Sequence, residues 1–256
     1  GYLKVDTDGK VIIDLKINKR YITMAPIANL IGIAFKLENP YHLVIPGLDK
    51  KSKELNGICL ALVEKNHLGL EQNTYHNPLN VGFPNGTLKG NIKLNVSNII
   101  GEGCGIGEGW RMLMECLGEG RAVSLPACAN ASNKVSMLGI YQYAKHRKQF
   151  GIQLIKMQAI QHKLLDMFFH TWIVNSSIHM TNNIIDSGKT PSVISAIMKQ
   201  QSTERSRIVL DHAMDIYAGS GIIVGENNFL HPIYKGNPVG ITVEGSNTLT
   251  RNLIIF

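Results

Sequence analysis

The chain has 256 residues, 44% of them hydrophobic, and a formal net charge of +7. That length supports one large core or two smaller ones. A mean hydropathy of +0.01 is ordinary for a globular protein, and no apolar run approaches the ~18 residues of a membrane span. The 26 Lys and Arg residues are scattered, with no basic tract interleaved with aromatics, which argues against a nucleic-acid partner. The same charge suits an acidic ligand, an acidic protein partner or simply a solvated surface. Gly1 to Asp6 lack the apolar segment of a secretory signal, and both ends read as cut, so a piece of a longer protein is expected.

From residue 1 to about 105 the chain reads as β. Val11 to Ile13 and Ile17 to Thr23 are β-branched runs, and Ile31 to Phe35 and Ile58 to Val63 read as buried strands. Gly90 to Ile100 alternates with period two. Pro40, Pro46-Gly47, Asn56-Gly57, Asn77-Pro78, Pro84-Asn85-Gly86 and Lys89-Gly90 punctuate these runs. Short strands at this spacing predict a small antiparallel barrel or sandwich. Gly101 to Gly109 is rich in glycine but fits neither a dinucleotide fingerprint nor a P-loop, and is expected to be a flexible interdomain turn.

From about residue 106 the period becomes helical, so the domains are expected at 1–105 and 106–256. Trp110, Leu113, Met114 and Leu117 recur at helical spacing, and the first helix is expected to run to Arg147, with Phe150-Gly151 breaking it. A second helix is expected from Ile152 to Asp186. A third starts at Thr190-Pro191 and ends near Tyr217. A loop with Gly225, Pro232, Gly236 and Pro238 leads to a terminal helix, capped by Ser246, with a face of Leu249, Leu253 and Phe256. The expectation is an up-down four-helix bundle with its last helix truncated.

Few residues carry chemistry by pattern alone. Cys59, Cys104, Cys116 and Cys128 lack zinc-ligand spacing and are expected to be reduced, mostly buried thiols of a cytosolic protein. His162, Asp166 and His170 share one helical face, which fits a metal pair or a polar stripe. No G-x-S-x-G elbow is present. Tyr143 to Gly151 reads by itself as a helix end, with cations in its last turn. Glu244 is the sole acid after residue 227, set among apolar neighbours and followed by Gly245. It is either an exposed turn residue or a base whose pKa is tuned between an apolar pocket and a helix N-terminus.

Arg147-Lys148-Gln149-Phe150-Gly151, then Met157-Gln158-Ala159-Ile160-Gln161, then Ala218-Gly219-Ser220-Gly221, then Val243-Glu244-Gly245-Ser246 follow a β module in one order. Together they resemble the acyl-CoA dehydrogenase family over nearly the whole chain. Tyr21 to Thr23 and Thr242 to Phe256 look most like its larger bacterial branch, which serves fatty-acid β-oxidation. The resemblance implies a middle β domain and a C-terminal helical domain, with the family's N-terminal helical domain, a flavin-contacting segment and the branch's extra C-terminal region outside this chain.

It further implies FAD as cofactor, acyl-CoA as substrate and trans-2-enoyl-CoA as product. An electron-transferring flavoprotein would be the electron acceptor, in a homodimer or homotetramer of the bacterial cytoplasm, peripheral at the membrane in full length. Glu244 matches the catalytic base, and its backbone N–H an oxyanion donor. Gly245 and Arg121 match substrate contacts, although the usual acid three residues before the arginine is Gly118 here. Tyr21, Ile22 and Thr23 match the flavin-ring segment, and Arg147, Lys148, Gln149 and Phe150 the segment that reaches a neighbouring subunit's FAD. Met157 and Gln158 match an adenosine contact. Asp215 and Gly219 match a cofactor loop that departs from the family at Asp215 and Ala218. Ser246, Asn247 and Thr248 match flavin contacts beyond the base. A flavin oxidase of the same fold, or a non-catalytic helical module, is the alternative.

Overall fold

The computed structural model describes residues 1–45, 47–48, 55, 57–189 and 192–255. Pro46, Asn56, Thr190, Pro191 and Phe256, named above as turn, helix-start and helix-face positions, lie outside them. The chain divides into two compact units, Gly1–Met114 and Glu115–Phe256.

In the first unit, β1 (Tyr2–Val5), β2 (Val11–Thr23), β5 (Leu70–His76) and β6 (Asn85–Asn95) form an antiparallel sheet of order β1-β2-β6-β5. β3 (Leu30–Phe35) and β4 (Cys59–Glu64) form a second antiparallel pair. Alternate residues of both sheets, among them Leu3, Ile13, Leu15, Ile33, Ala61, Leu88 and Ile92, enter one core. This is the expected small sandwich. Val11 to Ile13 and Ile17 to Thr23 are one strand rather than two, with its irregularity between Lys19 and Ile22. The alternation expected from Gly90 to Ile100 belongs to β6, which starts earlier and gives way to a 3-10 turn at Val96–Asn98.

The glycine-rich stretch is close-packed rather than a loose connector. Glu102–Gly105 form a 3-10 turn, and a Cβ on Gly105 would sit 1.8 Å from the Ile100 carbonyl oxygen. The helix that follows is anchored at its start by the Gly109 amide, which donates to the Ile58 carbonyl at 2.7 Å. The first compact unit thus runs on into this helix, through Met114.

The second unit holds most of α1 (Gly109–His146), then α2 (Gln158–Asp186), α3 (Ser192–Tyr217), the short α4 (Gly219–Ile222), α5 (Leu230–Thr242) and α6 (Asn247–Ile255). The helical domain thus has more pieces than the expected bundle of three long helices and the start of a fourth. α2 begins at Gln158, not Ile152, because β7 (Lys148–Gln149) and β8 (Ile152–Gln153) close a hairpin around Phe150 and Gly151, both at positive φ. α5 occupies the expected loop. Pro232 lies in its first turn, where no amide is needed, and Pro238 lies inside it. Asn228 caps the helix, its Oδ1 accepting from the Leu230 and His231 amides at 3.1 and 2.9 Å.

α3 is the central element and packs against α2, α5 and α6. Its residues Ala196, Lys199, Thr203, Ser206, Leu210, Ala213 and Tyr217, spaced three and four apart, are all buried. α1 buries small and polar residues such as Ala122, Asn133, Ser136 and Ala144, while Trp110 and Leu117 of the expected apolar stripe are exposed. Cys59 is buried, but Cys104, Cys116 and Cys128 are exposed, against expectation.

Gly90 lies at φ +146, and a Cβ there would sit 1.9 Å from the Gly69 carbonyl oxygen. Gly90→Ala is expected to destabilise the chain at the upper end of the ~0.5–3 kcal/mol range of point substitutions, read as a lower midpoint in urea denaturation.

Candidate active site

Glu244 stands in the turn between α5 and α6. The Thr242 hydroxyl donates to the Pro238 carbonyl at 2.8 Å and the Val243 amide to the Val239 carbonyl at 3.0 Å, which ends α5. Glu244 and Gly245 then take left-handed φ values of +56 and +83. Gly245 suits that conformation, and a Cβ there would meet only the ordinary surface of Thr250 and Leu249. Backbone geometry within this chain thus accounts for the glycine. Glu244 adopts the same region as a non-glycine residue, an uncommon conformation. Ser246 starts α6 as expected, its Oγ accepting from the Leu249 amide at 3.3 Å.

Two cations face the carboxylate: Arg121 of α1 and Lys199 of α3. Glu244 is exposed, yet partial loss of water raises its carboxyl pKa, while Arg121 and Lys199 act to lower it. These cations supply the stabilisation of the ionised form that had been expected from the helix N-terminus. Arg121 is buried, and its Nε has no hydrogen-bond partner among the described residues. The resemblance had singled out Arg121 and Glu244, and the two interact electrostatically here.

Lys199 was not anticipated. It is fully buried, and its ammonium donates to the Gly245 carbonyl and to Asn247 Oδ1, each at 2.7 Å, with a longer contact to the Ile241 carbonyl at 3.4 Å. Burial lowers its pKa to about 8, with Arg121 adding to the fall and Glu244 and Glu204 opposing it. The signal in the sequence was a lysine on the buried stripe of α3, where a charge is costly without partners.

Asn247 was expected to contact a flavin. Its side chain is instead committed inward: Oδ1 to Lys199, and Nδ2 donating to Thr203 Oγ1 and Glu204 Oε1, both at 2.9 Å. What Asn247 has left for a ligand is backbone. Among the described side chains of α6, Asn247 and Thr250 are buried, and Leu249 of the expected apolar face is exposed. Ser246 and Thr248 are exposed beside them.

Other expected residues stand apart from this turn. Arg147, Lys148, Gln149 and Phe150 are exposed around the β7–β8 hairpin. Phe150, 95% exposed at φ +51, holds an aromatic ring in water beside two cations. Such a set fits a pyrophosphate next to an aromatic ring system. Met157 precedes α2 and packs on the helical core, while Gln158 is exposed. Asp215 is paired with Lys163 at 2.5 Å, so its carboxylate joins α3 to α2, and Gly219 opens α4. In the β unit, Tyr21 is 74% exposed at the end of β2, near Ile22 and Thr23, with Arg20 5.7 Å over its ring. The His162, Asp166 and His170 face reads as a polar seam: His170 Nδ1 meets Arg205 at 2.8 Å and Asp166 meets His212 at 3.7 Å. Among the described residues no group of three or more His, Cys, Asp or Glu gathers as for a metal, and no helix is long and apolar enough to cross a membrane.

Residues 107–255 match the model of the acyl-CoA dehydrogenase C-terminal domain. The chain is 40% identical over 95 residues to the protein HemX of Proteus mirabilis, covering 37% of this chain and 52% of that one. It is 24% identical over 238 residues to a 3-(aryl)acrylate reductase of Clostridium sporogenes, covering 92% and 58%. It is 28% identical over 130 residues to a short-chain specific acyl-CoA dehydrogenase of Megasphaera elsdenii, covering 51% and 33%. Among solved structures, butyryl-CoA dehydrogenase of Megasphaera elsdenii superposes with a TM-score of 0.79 at 22% identity, over 99% of this chain and 61% of that one. The prolyl acyl carrier protein oxidase AnaB gives 0.82 at 18%, and the FAD complex of PigA 0.80 at 19%, each over 99% of this chain and 62% of theirs. The chain spans about half the length of the first curated relatives it matches.

The depressed pKa of Lys199 links folding to pH. Between about pH 8 and the unperturbed value of 10.5 the unfolded chain binds the proton that the folded chain has released, so stability rises with pH across that window. The gain is on the order of 3 kcal/mol. Urea midpoints measured through this range are expected to climb for the wild type relative to Lys199→Met.

Proposed function

The chain belongs to the acyl-CoA dehydrogenase family, and on that premise we propose that its whole protein is an FAD-dependent enzyme that oxidises acyl-CoA thioesters to trans-2-enoyl-CoA. Glu244 carries the reading. It is a carboxylate in a left-handed turn, flanked by a glycine, with burial raising its pKa and two cations restraining the rise. A base must be ionised before it acts yet basic enough to accept a proton, and opposed influences of this kind serve both needs.

Glu244 takes the α proton of the thioester. Its own backbone N–H serves as a donor to the thioester oxygen as negative charge develops there. Bound flavin supplies the acceptor for the hydride that leaves the β carbon. Gly245 lets a substrate approach the turn without meeting a side chain. Buried Arg121 adds positive charge beside the base. The exposed Arg147, Lys148, Gln149 and Phe150 offer cations, an amide and a ring to a flavin dinucleotide bound in another copy, which calls for a homodimer or homotetramer. Tyr21 offers an aromatic face to a flavin ring.

The finer assignment is fatty-acid β-oxidation in the bacterial cytoplasm, with an electron-transferring flavoprotein as acceptor. Its support is the likeness of Tyr21 to Thr23 and Thr242 to Phe256 to the branch that serves that route. A second reading has an observation of its own: the 3-(aryl)acrylate reductase match extends along 92% of this chain. The same residues would serve the reverse reaction by microscopic reversibility, with Glu244 returning the proton to the α carbon and reduced flavin supplying the hydride to the β carbon.

In the intact protein, Glu244→Gln is expected to lower the rate of anaerobic flavin bleaching by acyl-CoA by at least the ~10²–10⁴-fold of a lost general base, with FAD still bound. Full bleaching at the wild-type rate would remove Glu244 from the role. The wild-type rate is expected to rise with pH through an ionisation above the ordinary carboxylate range, because Glu244 acts deprotonated.

A further inference from the structure

Glu244 adopts a backbone region that non-glycine residues rarely take, and such a conformation persists only where its surroundings hold it. The turn has few holds of its own. Thr250 Oγ1 donates to the Gly245 carbonyl at 3.3 Å, and the Thr250 amide to the Ser246 carbonyl at 2.8 Å. The shortest bonds come from outside the segment, from the Lys199 ammonium on α3. It bonds on both sides of Glu244: the Ile241 carbonyl before it, and the Gly245 carbonyl and Asn247 Oδ1 after it. Asn247 then returns to α3 through Thr203 Oγ1, which itself donates to the Lys199 carbonyl at 2.8 Å. The result is a closed circuit from one turn of the buried stripe of α3 to the start of α6.

We propose that Lys199 is a positioning residue, a buried clamp that sets the Glu244 turn in its left-handed form and fixes where the carboxylate lies. A hydrophobic residue would fill the same space on the stripe of α3 without the cost of burying a charge. Only a long side chain ending in several donors can join the Ile241 and Gly245 carbonyls to Asn247 at once. The same charge also acts on Glu244 directly, as does Arg121 from α1, whereas Glu204 on α3 faces Lys199. Lys199 therefore combines a mechanical and an electrostatic role.

This assignment rests on Glu244 being the base, so the experiment separates the two. In the intact FAD-loaded protein, Lys199→Met, Lys199→Arg and Glu244→Gln are compared by anaerobic flavin bleaching with saturating acyl-CoA as a function of pH. Lys199→Met is expected to keep its flavin and lose roughly 10–100-fold in the bleaching rate, the scale of a small misplacement of a reacting group. The acid limb of its pH profile is expected to move to higher pH, because one of the cations that hold the Glu244 pKa down is gone. Lys199→Arg, which keeps the charge, is expected to restore the limb and only part of the rate. A merely structural lysine would lower thermal stability and leave the limb in place. Wild-type rate and limb in Lys199→Met, beside an inactive Glu244→Gln, would overturn the clamp alone. An active Glu244→Gln would overturn the base and the clamp with it. Should Lys199→Met fail to fold, amide hydrogen exchange of the wild type decides: slow exchange across residues 243–247 supports the clamp, and exchange at solvent rates overturns it.

Discussion

A lysine with no solvent exposure, bonded to a turn 46 residues later in the chain, is the interaction on which the end of the helical unit depends. The ammonium is costly to bury, and its depressed pKa registers that cost. What offsets it is a full set of acceptors at the junction of α3, α5 and α6. Each of those helices also has its own reason to be there. α3 buries a stripe spaced three and four, α5 is capped by Asn228, and α6 by Ser246. Local signals make the helices. The Lys199 circuit decides how the turn between the last two is set.

Strands and long helices were legible because their signals are local. β-branched runs with alternating burial marked β2, β3 and β4, and Phe150-Gly151 marked the break after α1, though not the hairpin that forms there. The Pro232–Pro238 segment was misread because proline and glycine density mimics a loop. The helix survives there because Pro232 falls in the first turn and because Asn228, outside the segment, supplies the cap. α1 defeated a search for an apolar stripe for a different reason. Apart from Ile140, its inner face is mostly small or polar residues such as Ala122, Asn133, Ser136 and Ala144, which carry almost no hydrophobic contrast.

The site divides along the same line. Glu244, Gly245 and Ser246 were visible as an acid, a glycine and a cap in sequence. Their placement follows from φ values and one Oγ, all within a few residues. Lys199 was hidden because its meaning lies in a contact with the chain far downstream. The side-chain role of Asn247 was hidden for the same reason. Resemblance points it at a cofactor, while the hydrogen bonds commit its side chain to Lys199, Thr203 and Glu204. A residue three positions past a carboxylate can thus act by holding the intervening backbone rather than by touching a ligand.

The electrostatics of the turn carry a further consequence. Burial raises the Glu244 pKa, and Arg121 and Lys199 lower it. The two cations also repel each other, since Arg121 contributes to the depressed pKa of Lys199 while Glu244 opposes it. The carboxylate is therefore partly what keeps the buried lysine charged, and the charged lysine is partly what keeps the carboxylate ionised. A ligand that covers the turn removes water from Glu244 and strengthens every interaction in this group at once. Covering the turn favours the protonated carboxyl through desolvation and the ionised carboxylate through the cations. The balance is set by how far Lys199 and Arg121 sit from the carboxylate. That distance follows from where the clamp sets the turn, so the geometry that places the carboxylate also sets its proton affinity.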